Sequence, residues 1–341
     1  MNVVFDNRKE SRPTNLFINK ALGPVRQFLD DPNIVEISVN RPGEVFIERL
    51  GAHHMEFHSV PELTKDEIQL LAQQVAGFTN QFINDKNPIL SASLPTGERI
   101  QFVLPPVATD GGSISIRKQV VSNFTLEDYR DKGSLDHIQL SSGETTELDL
   151  ALSNHLQSRR FYDFLNEAIR NRVSILISGG TASGKTTFLN ACLQAVHKEE
   201  RIITLEDARE LKPPQKNVVH LVASKGSQGT ADVDMQKLLE SSLRMRPDRL
   251  FVGEIRGAEA FTFLRGINTG HPGSMSTIHA NTPDGAYQQL AMMVAQAGLS
   301  GGFSKAELMD YIRSVIPIVV QLHKKDGKRG ISEIAFTKVS A

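Results

Sequence analysis

A chain that carries Gly179-Gly180-Thr181-Ala182-Ser183-Gly184-Lys185-Thr186 between an apolar run and a helical pattern has few folds open to it. The segment fits G-x-x-x-x-G-K-[ST] at every fixed position, and residues 173–178 ahead of it read as a continuous apolar strand. Glycines let successive backbone N–H groups turn inward around phosphate oxygens. The helix that begins near Gly184 adds the positive end of its dipole. The pattern expects Lys185 to reach β- and γ-phosphates and the Thr186 hydroxyl to ligate Mg²⁺. Thr187 completes the candidate nucleotide-binding set. Binding of a nucleoside triphosphate such as ATP is the firmest functional expectation.

The surrounding rhythm fixes the fold class. Further strands are expected at 201–205, 218–223, 250–253 and 274–279, with helices near 233–245, 258–268 and 283–295. Apolar strands alternating with helices predict an α/β domain with a parallel-rich sheet covered on both faces. Ser304 and Glu307 form a capping box, and 316–323 pairs with 331–337 across Asp326-Gly327 as a terminal hairpin.

The first part of the chain reads differently. Residues 34–39 and 44–48 form strands around the Arg41-Pro42-Gly43 turn. Thr64, with Glu67 closing a capping box, starts a helix that runs to about Phe82. Strands follow at 99–104 and 113–117, separated by Pro105-Pro106 and Gly111-Gly112. Without β–α alternation this is an α+β domain. The polar stretch from Ser122 to Leu156, with Gly133-Ser134 and Ser141-Ser142-Gly143-Glu144, reads as a long linker with some helix. The expected division is 1–121, a linker over 122–160, and an ATPase domain over 161–341.

Composition narrows the function classes. The 341 residues hold 38 Lys+Arg against 39 Asp+Glu, so the surface as a whole is not that of a nucleic-acid binder. One cysteine, Cys192, excludes an internal disulfide and a cysteine-based zinc site. The polar start over 1–12 carries no apolar signal region. The apolar stretch over 315–320 is broken by Pro317 and is far short of the ~20 residues a spanning helix needs. Membrane contact is therefore expected to be peripheral.

Three further elements gather chemistry at strand ends, where ligands of open α/β sheets bind. The apolar run 250–253 delivers Glu254, a candidate for water-mediated Mg²⁺ contact or for polarising the attacking water. The run 203–205 delivers Glu206 and Asp207; Glu206 and Glu254 compete for the general-base and metal roles, and spacing does not assign them. His271 and His279 flank the strand at 274–279, placed for phosphate sensing or a subunit contact.

The order of segments 179–186, 204–211, 243–257 and 270–281 resembles the Walker A, Asp box, Walker B and His box motifs of the secretion ATPase superfamily. Leu243-Arg244-Met245-Arg246-Pro247-Asp248-Arg249 followed by Gly253-Glu254-Ile255-Arg256-Gly257 is the most diagnostic part. The chain is most similar to the traffic ATPases of bacterial type IV secretion systems, and the stretches around Asn40-Arg41-Pro42-Gly43, Gly97-Glu98-Arg99 and Ser115-Ile116-Arg117-Lys118 support that branch. The missing cysteines weigh against the zinc-bearing type II branch.

The resemblance implies a RecA-like P-loop core and Mg²⁺-dependent ATP hydrolysis. It implies a homohexamer that is cytoplasmic and peripheral at the inner membrane, working with other secretion ATPases and inner-membrane components. No sequence-specific nucleic-acid contact is implied. Arg99 and Arg117 match arginines that reach the nucleotide phosphates, Glu206 a catalytic acid, Glu254 the Walker B glutamate, and His271 and His279 the His box. Two alternatives stay open: a nucleic-acid motor, which the absence of Trp and the four Tyr disfavour, and an ATP-binding switch without hydrolysis, which the two acids disfavour.

Overall fold

The computed structural model describes residues 13–119, 125–136, 138, 145–224, 229–298 and 302–338. The polar start and Ser141-Ser142-Gly143-Glu144 lie outside them. The chain forms two compact units: Met1–Gln119 with Val219–Arg246, and Val120–Val218 with Pro247–Ala341.

In the first unit, α1 (Pro13–Ala21), a 3-10 turn (Gly23–Val25) and α2 (Arg26–Asp30) precede β1 (Ile34–Arg41), β2 (Glu44–Arg49) and β3 (Glu56–Ser59). Then come α3 (Lys65–Phe78), β4 (Ile89–Ser93), β5 (Arg99–Val103) and β6 (Ser113–Arg117). The sheet order is β3-β2-β1-β6-β5-β4, antiparallel at every pair. Ile37, Val39, Ile47, Ile68, Leu71, Val75 and Phe102 fill its core. The Thr64 hydroxyl accepts the Glu67 N–H at 3.2 Å, but the reciprocal bond expected from Glu67 is not made. The helix stops at Phe78 rather than near Phe82. There the Thr79 hydroxyl donates to Val75 O at 2.9 Å, and Asn80 turns to a φ of 54°.

In the second unit, α4 (Leu126–Asp131), α5 (Glu147–Gln157) and α6 (Phe161–Arg170) lead into β7 (Ile175–Gly179), α7 (Lys185–Ala195) and β8 (Ile202–Glu206); β9 (Val218–Val222) follows in the chain. The chain leaves this unit at Val218. Val219–Arg246, with α8 (Met235–Ser242), belongs to the first unit, where Gln101 Nε2 donates to Ser241 Oγ at 3.0 Å. The second unit resumes with β10 (Arg249–Val252), α9 (Glu259–Asn268), β11 (Met275–Ile278), α10 (Pro283–Gln296), α11 (Lys305–Val315), β12 (Ile318–Lys325) and β13 (Lys328–Phe336).

The second sheet runs β13-β12-β7-β11-β10-β8-β9. The pairs from β12 through β7, β11 and β10 to β8 are parallel, and the terminal hairpin closes antiparallel. Every residue of β7, β8, β10 and β11 is buried, the pattern of parallel strands covered on both faces. The expected α/β core with a parallel-rich sheet is present.

The packing differs from the domain boundaries read from the sequence in two places. α5 falls within the expected linker, yet it packs on α6 and buries Leu152 completely in the second unit's core. The segment around α8 joins the first unit, although its strand–helix rhythm continues that of the second. Cys192 is buried on α7, and burial pushes its thiol up to about 12. Among the described residues no helix is long and apolar enough to cross a membrane.

Candidate active site

The phosphate loop leaves the C-terminal end of β7 with its neighbours on both sides. β12 pairs with β7 as far as Leu322 opposite Gly179. A Cβ added to Gly179 would meet Ser183 Oγ at 2.4 Å and Leu322 O at 3.0 Å, so only glycine fits. Gly180 faces open space, with nothing within 4 Å of an added Cβ. Ala182 takes a φ of 58° and Gly184 a φ of 99°, the left-handed geometry that turns the loop into α7. Gly184 is the N-cap of that helix. The Ser183 hydroxyl is buried without a partner. Thr181 and Thr187 are exposed and Thr186 half-buried.

Lys185, the first residue of α7, is 9% exposed. Its ammonium donates to Gly179 O at 3.0 Å and Gly180 O at 3.4 Å. It also lies 3.2 Å from Nε2 and 3.3 Å from Nδ1 of His279, the residue after β11. Burial is the largest influence on Lys185 and lowers its pKa; the Glu254 charge opposes it and Arg256 adds to it.

His279 Nε2 stands 2.9 Å from Glu254 Oε1. Arg256 donates from Nη2 to Glu254 at 2.8 Å and from Nη1 to Asp207. The loop carrying these groups is tied to β11: Ile255 N–H donates to Thr277 O at 3.0 Å, and Thr277 Oγ1 to Gly253 O at 2.7 Å. Lys185, His279, Glu254, Arg256 and Asp207 thus form one chain of polar contacts at the strand ends.

Glu206 ends β8 beside Gly253, whose added Cβ would lie 3.5 Å from Glu206 Cγ. Its Oε2 accepts the N–H groups of Glu210 at 2.7 Å and Leu211 at 2.8 Å. Burial raises its pKa, against the lowering by those two amides and Thr204. His271 lies at the opposite end of β11 from His279, its Nδ1 2.8 Å from Pro247 O, and is not brought to Lys185.

Arg99 and Arg117 belong to the first unit, directly opposite one another across β5 and β6. With Arg244, Ser91, Ser93 and Gln101 they line a cleft of about 720 Å³. Among the described residues none of these three arginines has an acidic partner. Arg244 and Arg256 were named by the sequence reading only within the diagnostic run and were given no role. Arg256 carried a signal, because an arginine two residues past a strand-end glutamate can close back on it.

The family model of the type II/IV secretion system proteins matches residues 19–326. The chain belongs to that family. The VirB11 type IV secretion system protein of Bartonella quintana is 39% identical over 340 residues, covering 96% of this chain and 95% of the relative. That of Brucella suis is 38% identical, covering 94% and 90%. The crystal structure of the Brucella suis VirB11 ATPase, in complex with sulphate, matches with a TM-score of 0.89 at 36% identity and covers 95% of each chain. Membership, with a phosphate loop on a parallel α/β core, makes the chain a P-loop secretion ATPase. In this secretion ATPase the geometry places Lys185, His279 and Glu254 together and leaves His271 apart.

Proposed function

We propose that the chain hydrolyses ATP with Mg²⁺ to drive a type IV secretion apparatus. It does so as a homohexamer at the cytoplasmic face of the inner membrane, beside other secretion ATPases and inner-membrane components. The observation that carries the reading is the succession Lys185–His279–Glu254 against the phosphate loop.

The residues present fit a magnesium triphosphate. Gly180 leaves open space, Ser183 offers a buried hydroxyl without a partner, and Glu254 Oε1 is a buried oxygen that has only the His279 ring beside it. Among the described residues no cluster of three or more His, Cys, Asp or Glu could cage a metal. Magnesium would then be held by Thr186, phosphate oxygens and water, with Glu254 or Glu206 in outer contact. When bound, it supplies neutralisation of phosphate charge.

Within that frame each side chain has a task. Lys185 exchanges the Gly179 and Gly180 carbonyls for phosphate oxygens. Glu254 accepts a proton from the attacking water or orients it, and Arg256 fixes the carboxylate. Glu206, committed to two backbone amides, holds the segment after β8, which supports giving the base role to Glu254. The bond to Pro247 supports a positioning part for His271. The opposed charges of Arg99 and Arg117, which among the described residues have no acidic partners, support their assignment to phosphate binding. Like charges directly opposite across a sheet are destabilising, which calls for an anion.

Lys185→Ala should abolish phosphate release from ATP, and turnover retained in a clean preparation would overturn the reading. Light scattering of the full chain with ATP and Mg²⁺ should give the mass of six copies; a monomer at every concentration would overturn the hexamer.

A further inference from the structure

The terminal hairpin carries a concentration of positive charge that the mechanism above does not use. Lys324 on β12 stands directly opposite Arg329 on β13, and Lys325 opposite Lys328. Two like-charge pairs at one hairpin tip weaken it. Asp326 in the turn is the only acid between Lys324 and Arg329. Among the described residues these four cations form no salt bridge.

The hairpin also lies against the phosphate loop, within the same unit. A Cβ added to Gly184 would lie 3.3 Å from Arg329 Cδ, so the stem of Arg329 packs on the residue that caps α7. A cationic side chain whose stem packs on a helix N-terminus meets the positive end of the dipole and is disfavoured there. Lys185, one residue on, adds a second cation. The buried, unpartnered hydroxyl of Ser183 immediately precedes Gly184. An anion at the loop would relieve the repulsion between Arg329, Lys185 and the helix end, and would give the tip's paired charges a counter-ion.

We propose that Arg329 is a nucleotide-binding residue that takes a phosphate oxygen of the bound nucleoside triphosphate, with Lys324, Lys325 and Lys328 steering the anion to the loop. The proposal rests on the reading of the loop as a triphosphate site. An arginine suits the role because its planar fork can hold two oxygens at once, which a lysine cannot. A basic tip alone would also attract an anionic lipid surface. The approach to Gly184 favours the nucleotide, because a lipid surface would not require Arg329 to pack on the loop.

The test is equilibrium binding of a fluorescent ATP analogue and of adenosine to the full chain with Mg²⁺, alongside sedimentation with vesicles containing anionic phospholipid. Arg329→Gln should weaken ATP binding roughly tenfold, the loss expected for one charge-assisted hydrogen bond. Adenosine binding should not change, and Arg329→Lys should recover part of the loss. The combined Lys324→Gln, Lys325→Gln, Lys328→Gln variant, followed by stopped-flow with the same analogue, should bind more slowly at low salt and match the parent at high salt. Unchanged ATP affinity in Arg329→Gln, with Lys185→Ala abolishing binding in the same assay, would overturn the proposal and leave the triphosphate site standing. Loss of vesicle binding with ATP affinity intact would do the same. A parent chain that binds no ATP would remove both.

Discussion

His279 stands with its Nε2 2.9 Å from Glu254 Oε1 and 3.2 Å from Lys185 Nζ, so one ring joins the phosphate-loop lysine to the strand-end carboxylate. Removing the ring should loosen both partners without emptying the core, because His279 is about half exposed. His279→Ala should leave the melting temperature close to that of the parent. It should lower kcat by about 10²-fold, toward the low end of the range for a positioned acid–base group. Steady-state phosphate release and a thermal melt check the two halves.

Arg256 bridges Glu254 and Asp207 while remaining largely exposed. Exposed ion pairs contribute about 0–1 kcal/mol, so Arg256→Ala should cost no more than that in stability. Its activity should fall much further, through a mobile Glu254 carboxylate. Urea unfolding beside kcat separates these; a stability loss of several kcal/mol would show that Arg256 is a structural cation instead.

Adjacent glycines of the loop should respond differently to one added methyl group. Gly179→Ala drives Cβ against Ser183 Oγ at 2.4 Å and Leu322 O at 3.0 Å, and the second of these is backbone that cannot swing away. Overpacking of this kind costs about 1–3 kcal/mol. Gly180→Ala meets nothing within 4 Å and should stay within about 0.5 kcal/mol of the parent. Paired urea denaturation curves test the contrast.

The phosphate loop was legible because its chemistry is local: a fixed spacing of glycines, lysine and threonine between a strand and a helix. The hairpin was legible for the same reason, and Asp326 and Gly327 adopt φ of 50° and 77°, as a two-residue turn requires. The Ser304–Glu307 capping box also forms in both directions. The affiliation of α8 was not legible. It depends on bonds such as Gln101 to Ser241, 140 residues apart, which leave no periodic trace. β3 and β4 escaped notice because each buries at most one residue, leaving no alternation to read. Glu206 and Glu254 looked equivalent as strand-end acids. The backbone amides of Glu210 and Leu211, set by the turn after β8, hold Glu206, whereas His279 and Arg256 hold Glu254.

The base of the second unit holds a fully buried ion pair, with Arg249 donating from Nε and Nη2 to the two oxygens of Glu200 at 2.7 Å each. Arg249 Nη1 also donates to Ile169 O at 2.7 Å. Removing one partner leaves the other charge buried and uncompensated, at a cost of about 3–5 kcal/mol. Glu200→Gln should therefore lower the urea midpoint strongly. Unchanged stability would mean that water reaches the pair.

Burial raises the Glu206 carboxyl above its ordinary range, so in the folded chain it keeps its proton to higher pH than in the unfolded one. Between those two values the folded state binds more protons, and stability falls as pH rises. Glu206→Gln removes that loss. The variant should be the more stable protein above the folded value, and the advantage should shrink as pH drops to the unfolded carboxylate range. Urea midpoints measured from pH 4 to pH 8 would follow this; an advantage independent of pH would contradict it.

The most direct test of the account is Glu254→Gln assayed for binding and for hydrolysis on the same sample. ATP affinity with Mg²⁺ should stay within a few-fold of the parent, while phosphate release in a single turnover falls by at least about 10²-fold. Hydrolysis at the parental rate, or loss of ATP binding together with hydrolysis, would contradict the role given to Glu254.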